Sequence, residues 1–185
     1  MLQRQVNAGE NISATTLQKV WEKTENLENT FMPGRHVHYP GLVSQLIILE
    51  KSLPLEFRTR VFSAGEDAII KALSREPADA FAWARLCWFE ILQNGPGENS
   101  LNALKMSVYT APAKRSLIFW RLEMLALHIN DWNTEIESLV RRQIEYAWKI
   151  SPRRTASWAA SSELTEMLRD VLSLKDQQRL DNILD

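Results

Sequence analysis

This chain has little of what a cross-linked, metal-held or membrane-spanning protein needs. Cys87 is its only cysteine, so no intrachain disulfide and no cysteine-based zinc site can form. Only six glycines occur in 185 residues, and runs of Val, Ile or Thr are few. That argues against a strand-rich fold. The longest apolar run, Leu117–Ile129, is cut by Arg121 and Glu123 and is shorter than the roughly 20 residues a spanning helix requires. Residues 1–16 are polar and lack the apolar centre of a signal peptide. The net charge is −1, so nothing global points to nucleic acid or an anionic membrane surface. There is no glycine-rich phosphate loop, no Ser/His/Asp arrangement and no His-Glu-x-x-His. The chain is expected to be non-catalytic, with no metal and no cofactor.

What is present is a repeated pattern anchored on three prolines, Pro77, Pro112 and Pro152, spaced 35 and 40 residues apart. Five residues before each proline stands a small side chain: Ala72, Ser107, Ala147. Eight before it stands an aliphatic one: Ile69, Leu104, Ile144. Six after it stands Trp83, Ile118 or Trp158. A helix ends before such a proline, which lacks an N–H and disfavours helix in the preceding residue. The next helix starts just after it. The small residue lets a neighbouring helix approach, and the aliphatic residue fills the space between them. A period in the thirties is the mark of stacked helical hairpins.

In chain order, residues 1–13 form a polar start and Thr15–Asn29 a first helix with a thin apolar face. Phe31–Gly41 contains Pro33-Gly34 and Pro40-Gly41 and is expected to be irregular. Residues 1–41 are therefore an N-terminal helix and loop packed on a helical domain spanning 42–185. Further helices are predicted at Leu42–Ser52, Leu55–Arg75, Ala78–Gln93, Asn99–Tyr109, Ala113–Ile129, Thr134–Ile150, Thr155–Ala160, Glu163–Leu172 and Leu174–Leu184. Thr134 and Glu137 have the spacing of a capping box, and Ser173 with Asp176 caps the last helix. The C-terminal end is acidic, with Glu163, Glu166, Asp170, Asp176, Asp181 and Asp185 against three basic residues. Such a polar face suits a capping helix over 174–184.

The proline-anchored residues resemble the tetratricopeptide repeat. That family pairs an A helix carrying an aromatic with a B helix carrying aliphatic and small residues before a proline. The B-helix sets Ile69/Ala72/Pro77, Leu104/Ser107/Pro112 and Ile144/Ala147/Pro152 match, as do the A-helix aromatics Trp83 and Trp158. Ile118 replaces the aromatic in the middle repeat, and Leu122 stands where a small residue is usual. The resemblance covers about residues 60–172 and implies an all-α, TPR-like right-handed stack of antiparallel helix hairpins, roughly 8–10 helices in all. Truncating Trp83 or Trp158 to alanine is then expected to cost about 3–5 kcal/mol each. The run Ala103–Pro152 is also similar to bacterial accessory proteins of exopolysaccharide biosynthesis, which carry a helical repeat domain behind a membrane anchor. That likeness implies a scaffold tethered in the cell envelope, with an anchor upstream of Met1; a native Met1 would imply a cytoplasmic protein.

If the TPR geometry holds, helix A lines a groove with Phe81, Ala84, Trp88 and Ile91, then Ser116, Phe119, Glu123 and Ala126. This suits a protein partner, an extended peptide or a helix; alternatively, a helix of the same chain fills it. The loop residues Arg35, His36, His38 and Tyr39 form a second candidate contact set, read either as the loop of an enzyme or of a metal- or ligand-binding protein, with His36 and His38 as its centre, or as an aromatic-anchored connector. Arg121 and Glu123, inside an apolar helix, are expected to pair with charged partners such as Arg141, Arg142 and Glu145. Residues 105–154 hold nine basic and five acidic side chains, with Lys114-Arg115, Arg141-Arg142, Lys149 and Arg153-Arg154 prominent. They form either a solvated face or a contact for an acidic partner. No stacking or recognition-helix motif supports nucleic acid. His128 reads as a partner for a helix C-terminus, and Cys87 as a small core residue.

Overall fold

A computed structural model describes residues 13–27 and 39–184. Every regular element among them is helical, and the chain divides into two compact units, residues 1–77 and 78–185. The division falls at Pro77, inside the first proline-anchored segment.

In the first unit, α1 spans Ala14–Leu27, α2 Tyr39–Leu49 and α3 Leu55–Arg75. Ser13 starts α1 by accepting the Thr16 N–H at 3.3 Å on its hydroxyl, the ordinary role of an N-cap serine. Leu17 and Trp21 from α1, Val43 and Ile47 from α2, Leu53 and Val61 close over one another as this unit's core. Tyr39, Pro40 and Gly41, expected to be irregular, form the first turn of α2 instead. A proline there gives up no intrahelical hydrogen bond, because first-turn N–H groups have no partner in the helix. Between α2 and α3 the Glu50 carboxylate accepts the Ser52 hydroxyl at 2.6 Å and the Ser52 N–H at 3.0 Å. These two bonds, the hydroxyl's first, hold the Glu50 carboxyl below its usual range.

The second unit contains α4 (Ala80–Asn94), α5 (Glu98–Thr110), α6 (Arg115–Leu127), a 3₁₀ turn (Ile129–Asp131), α7 (Thr134–Ile150), α8 (Pro152–Ser161), α9 (Thr165–Val171) and α10 (Leu174–Leu184). Each helix packs on the next through α9, and α4 also touches α6, α5 touches α7, α7 touches α9 and α8 touches α10. One core joins them, built around Leu104, Ile118, Leu122, Leu125, Ile136, Ile144, Ala147, Trp158 and Leu168. Ile118 and Trp158 lie inside this core, and Trp83 packs against it while partly exposed. The small residues Ser107 and Ala147 are both wholly buried, as close helix approach requires.

The helix ends follow their local chemistry. Asp79 caps α4 by accepting the N–H groups of Phe81 at 2.7 Å and Ala82 at 3.1 Å. Gly95, at φ 78°, stops it, in a region where glycine meets no Cβ penalty. The cap of α7 is Asn133, whose side chain accepts the Ile136 N–H at 3.0 Å, rather than Thr134 one residue later. Asn133 has the extended backbone a cap needs, whereas Thr134 is already helical. Ser173 and Asp176 do bond each other, with Ser173 Oγ 2.8 Å from Asp176 Oδ2 and 3.3 Å from its N–H.

The α8–α9 turn contains Glu163 at φ 59°. Leu164 N–H donates to Ala159 O at 2.8 Å, and Glu163 N–H to Ala160 O at 3.4 Å. This is a Schellman ending with glutamate where glycine is usual. Glu163→Gly is expected to stabilise the protein by about 1 kcal/mol, read as a higher midpoint in urea unfolding. A lower midpoint would show that the left-handed residue carries no strain.

Candidate functional site

The candidate groove residues come from α4 and α6, two helices in contact. On α4, Phe81 packs against the buried cluster of Ala80, Ala84 and Leu117. Trp88 stands edge-on to Phe89, with ring centroids 5.3 Å apart, and Ile91 leans on the main core while half-buried. On α6, Ser116 and Glu123 are exposed, but Phe119 is 8% exposed. What covers Phe119 is a side chain the groove reading did not include. The Arg154 guanidinium, from the first turn of α8, lies 4.0 Å from the centre of its ring and reaches Glu123 at 3.6 Å. At that end of the candidate groove one arginine lies over the aromatic ring.

The same device occurs one hairpin earlier. Lys114, just before α6, places its ammonium 5.3 Å from the centre of the Phe81 ring, with Arg85 at 6.0 Å from the same ring. In both cases a cation leading into one helix covers an aromatic of the helix two elements back. The ring's negative face attracts the cation, and the aliphatic stem covers apolar surface while the head stays in water.

Arg121 is buried, yet no carboxylate among the described residues meets it. It donates through Nε to the Ser107 hydroxyl at 3.1 Å, through Nη1 to Ala111 O at 2.9 Å, and through Nη2 to Ser107 O. The Ser107 hydroxyl in turn donates to Ala80 O at 2.8 Å. Pro112 O, in the same turn, takes the Gln143 amide at 2.9 Å. The expected pairing with Glu145 is therefore replaced by carbonyls at the end of α5. Those carbonyls have no helical donors and carry the negative end of the helix dipole, and a planar fork of five donors satisfies several at once. Burial pulls the Arg121 guanidinium down to about 10. Glu123 pairs with Arg154, and Arg141 with Glu137 at 3.4 Å and Asp170 at 3.7 Å.

One arrangement with the geometry of a catalytic pair was not visible in the sequence. Ser100 Oγ lies 2.7 Å from His128 Nε2, across 28 residues, and His128 Nδ1 lies 2.8 Å from Met124 O. A carbonyl can only accept, so Nδ1 carries a proton; Ser100 Oγ also lies 2.9 Å from Gly97 O and accepts the Gly97 N–H at 3.1 Å. The serine–histidine contact resembles a nucleophile with its base. Ser100 and His128 are, however, 1% and 0% exposed, so the pair does not face solvent. The pair joins the start of α5 to the end of α6, and His128 serves the α6 carbonyl end as its sequence position suggested. Cys87 is also wholly buried; burial, with Glu90 nearby, pushes its thiol up to about 12, which removes the thiolate at neutral pH.

A further polar contact ties α5 to α7 at the surface. The Glu135 carboxylate accepts Lys105 Nζ at 2.6 Å and the Tyr109 hydroxyl. These bonds hold the Glu135 carboxyl below its usual range and, chiefly through the same hydroxyl bond, push the Tyr109 phenol up.

Arg35, His36 and His38 lie outside the described residues; Tyr39 enters them as the first residue of α2. Among the described residues, no three His, Cys, Asp or Glu side chains are grouped to hold a metal ion. No helix among them is long and apolar enough to cross a membrane. Compared with models of protein families, with curated proteins and with solved structures, the chain matches none. What the fold itself defines is an all-helical protein.

Proposed function

We propose that this chain is a non-catalytic protein-interaction scaffold. In this reading residues 78–184 form a TPR-like stack of antiparallel hairpins, and the sequence alone extends the pattern back to about residue 60 through Ile69, Ala72 and Pro77. Contacts between successive and alternate helices support it, as do the buried small residues Ser107 and Ala147. The docking surface is the face bearing Phe81, Trp88, Ile91, Ser116, Phe119 and Glu123, and the partner is a peptide or helix of another protein. The observation that carries this is the paired covering of Phe81 by Lys114 and of Phe119 by Arg154. It sets two exposed cations over Phe81, which is half-buried, and Phe119, which is buried, and aromatics with arginine are what interfaces concentrate.

A photoreactive amino acid at Ser116, exposed on this face, is expected to give one discrete cross-linked partner in cells of the source organism. The same group at Asn102, exposed on α5, is expected to give none. Adducts from Asn102 alone would place the contact elsewhere and end the reading. The wider setting we propose, an accessory role in bacterial exopolysaccharide biosynthesis, rests on the likeness of Ala103–Pro152.

A further inference from the structure

We propose that this face recognises an acidic, extended protein segment, and that Glu123 occupies the place of the partner's carboxylate when no partner is bound. The inference rests on the docking surface described above and names the chemistry of what docks there.

Lys114, Arg115, Arg153 and Arg154 are all exposed. Of these four, Arg154 reaches a carboxylate, that of Glu123, at 3.6 Å, with the two side chains 60% and 53% exposed. An exposed pair at that separation contributes little, so exchanging Glu123 for another carboxylate costs little. The aromatic rungs then decide what the cations can do. A guanidinium lying over a ring uses its face and leaves its N–H edge free, and that edge is the part that grips a carboxylate with two parallel bonds. Lys114 over Phe81 likewise keeps donors turned to water. Both head groups are already oriented, so binding costs less side-chain entropy than it would for free-swinging lysines.

Phe81 and Phe119 stand on α4 and α6, two helices in contact, and we take their two cations as a row that a chain with spaced carboxylates follows. The chain as a whole is close to neutral at −1, yet four exposed cations, Lys114, Arg115, Arg153 and Arg154, stand beside the two rungs with Glu123 as the carboxylate that one of them meets. A nucleic acid is the other polyanion such a row could meet. Single strands bind by stacking bases on open aromatic faces, and Phe119 offers none because Arg154 lies on it.

The test uses the full chain and fluorescence anisotropy. The probes are a labelled synthetic peptide repeating Glu-Gly-Val, its Gln-Gly-Val and Lys-Gly-Val counterparts, and a single-stranded homopolymer RNA. The glutamate peptide is expected to bind, and to weaken as salt is raised. Lys114→Ala and Arg154→Ala are each expected to weaken it roughly tenfold. Glu123→Gln is expected to tighten it by about two- to fivefold, since the internal competitor is gone. Circular dichroism of each variant checks that the helices persist. Equal binding of the glutamine peptide overturns the acidic specificity and leaves the docking face standing. Preference for RNA, or for the lysine peptide, overturns the inference outright. No binding by any probe also overturns it, while the Ser116 cross-link still reports separately on docking. An unchanged or weakened Glu123→Gln variant removes the stand-in role.

Discussion

Replacing Arg121 by leucine is expected to destabilise residues 78–185 by about 3 kcal/mol, measured as a lower urea midpoint at unchanged slope. Exchanging both partners of a buried ion pair for apolar groups can be neutral, but here that route is closed. The partners are main-chain carbonyls of Ser107 and Ala111 and the Ser107 hydroxyl, and no side-chain change removes the carbonyls. Leucine fills part of the volume and withdraws the guanidinium's donors, leaving Ala111 O with the Lys114 N–H at 3.2 Å and Ser107 O with the Thr110 hydroxyl at 3.4 Å. The loss also reaches α4, because the hydroxyl that receives Arg121 Nε is the one that donates to Ala80 O. Lysine keeps the charge but offers a compact ammonium instead of a fork, so Arg121→Lys recovers only part of the loss. A midpoint within experimental error of the parent for Arg121→Leu would mean that the junction contributes nothing.

Trp158→Ala is expected to be the larger loss, about 3–5 kcal/mol. The ring is 8% exposed and belongs to the core shared by α4 through α10, so truncation opens a cavity that several helices border. Its indole N–H has no acceptor among the described residues. Trp158→Phe therefore forfeits volume and no hydrogen bond, and is expected to cost under about 1.5 kcal/mol. The repeat pattern makes Trp83 its equivalent, but Trp83 is only partly buried. Trp83→Ala is accordingly expected to cost less than Trp158→Ala, a correction to the equal losses the pattern alone implies. Thermal melts in which Trp83→Ala is the worse variant would contradict this ranking.

The helices were largely legible because their signals are local. Leu55–Arg75, Thr134–Ile150 and Leu174–Leu184 carry apolar spacing and end signals that suffice by themselves, and these bounds coincide with the structure. Where two neighbours can both serve, spacing does not choose. Asn133 and Thr134 are each good caps, and the backbone at Asn133 decided between them. Pro40-Gly41 reads as a break, yet a proline in a first turn obstructs nothing. The candidate groove was legible as a set of positions on α4 and α6, but its cover was not. Arg154 and Phe119 are 35 residues apart, and nothing local marks one as the lid of the other.

By itself, then, the order of residues determined that this protein is helical, where most of its helices run, and that Ile118 and Trp158 face inward. Those are matters of hydrophobic period and of proline's missing N–H, both set within a few residues along the chain. Only the tertiary structure decided that Arg121 binds carbonyls, that Arg154 closes over Phe119 and that Ser100 meets His128. The reason is physical. Main-chain acceptors look alike in every sequence, and a charged or polar side chain takes whichever partner the packing of distant helices leaves within reach.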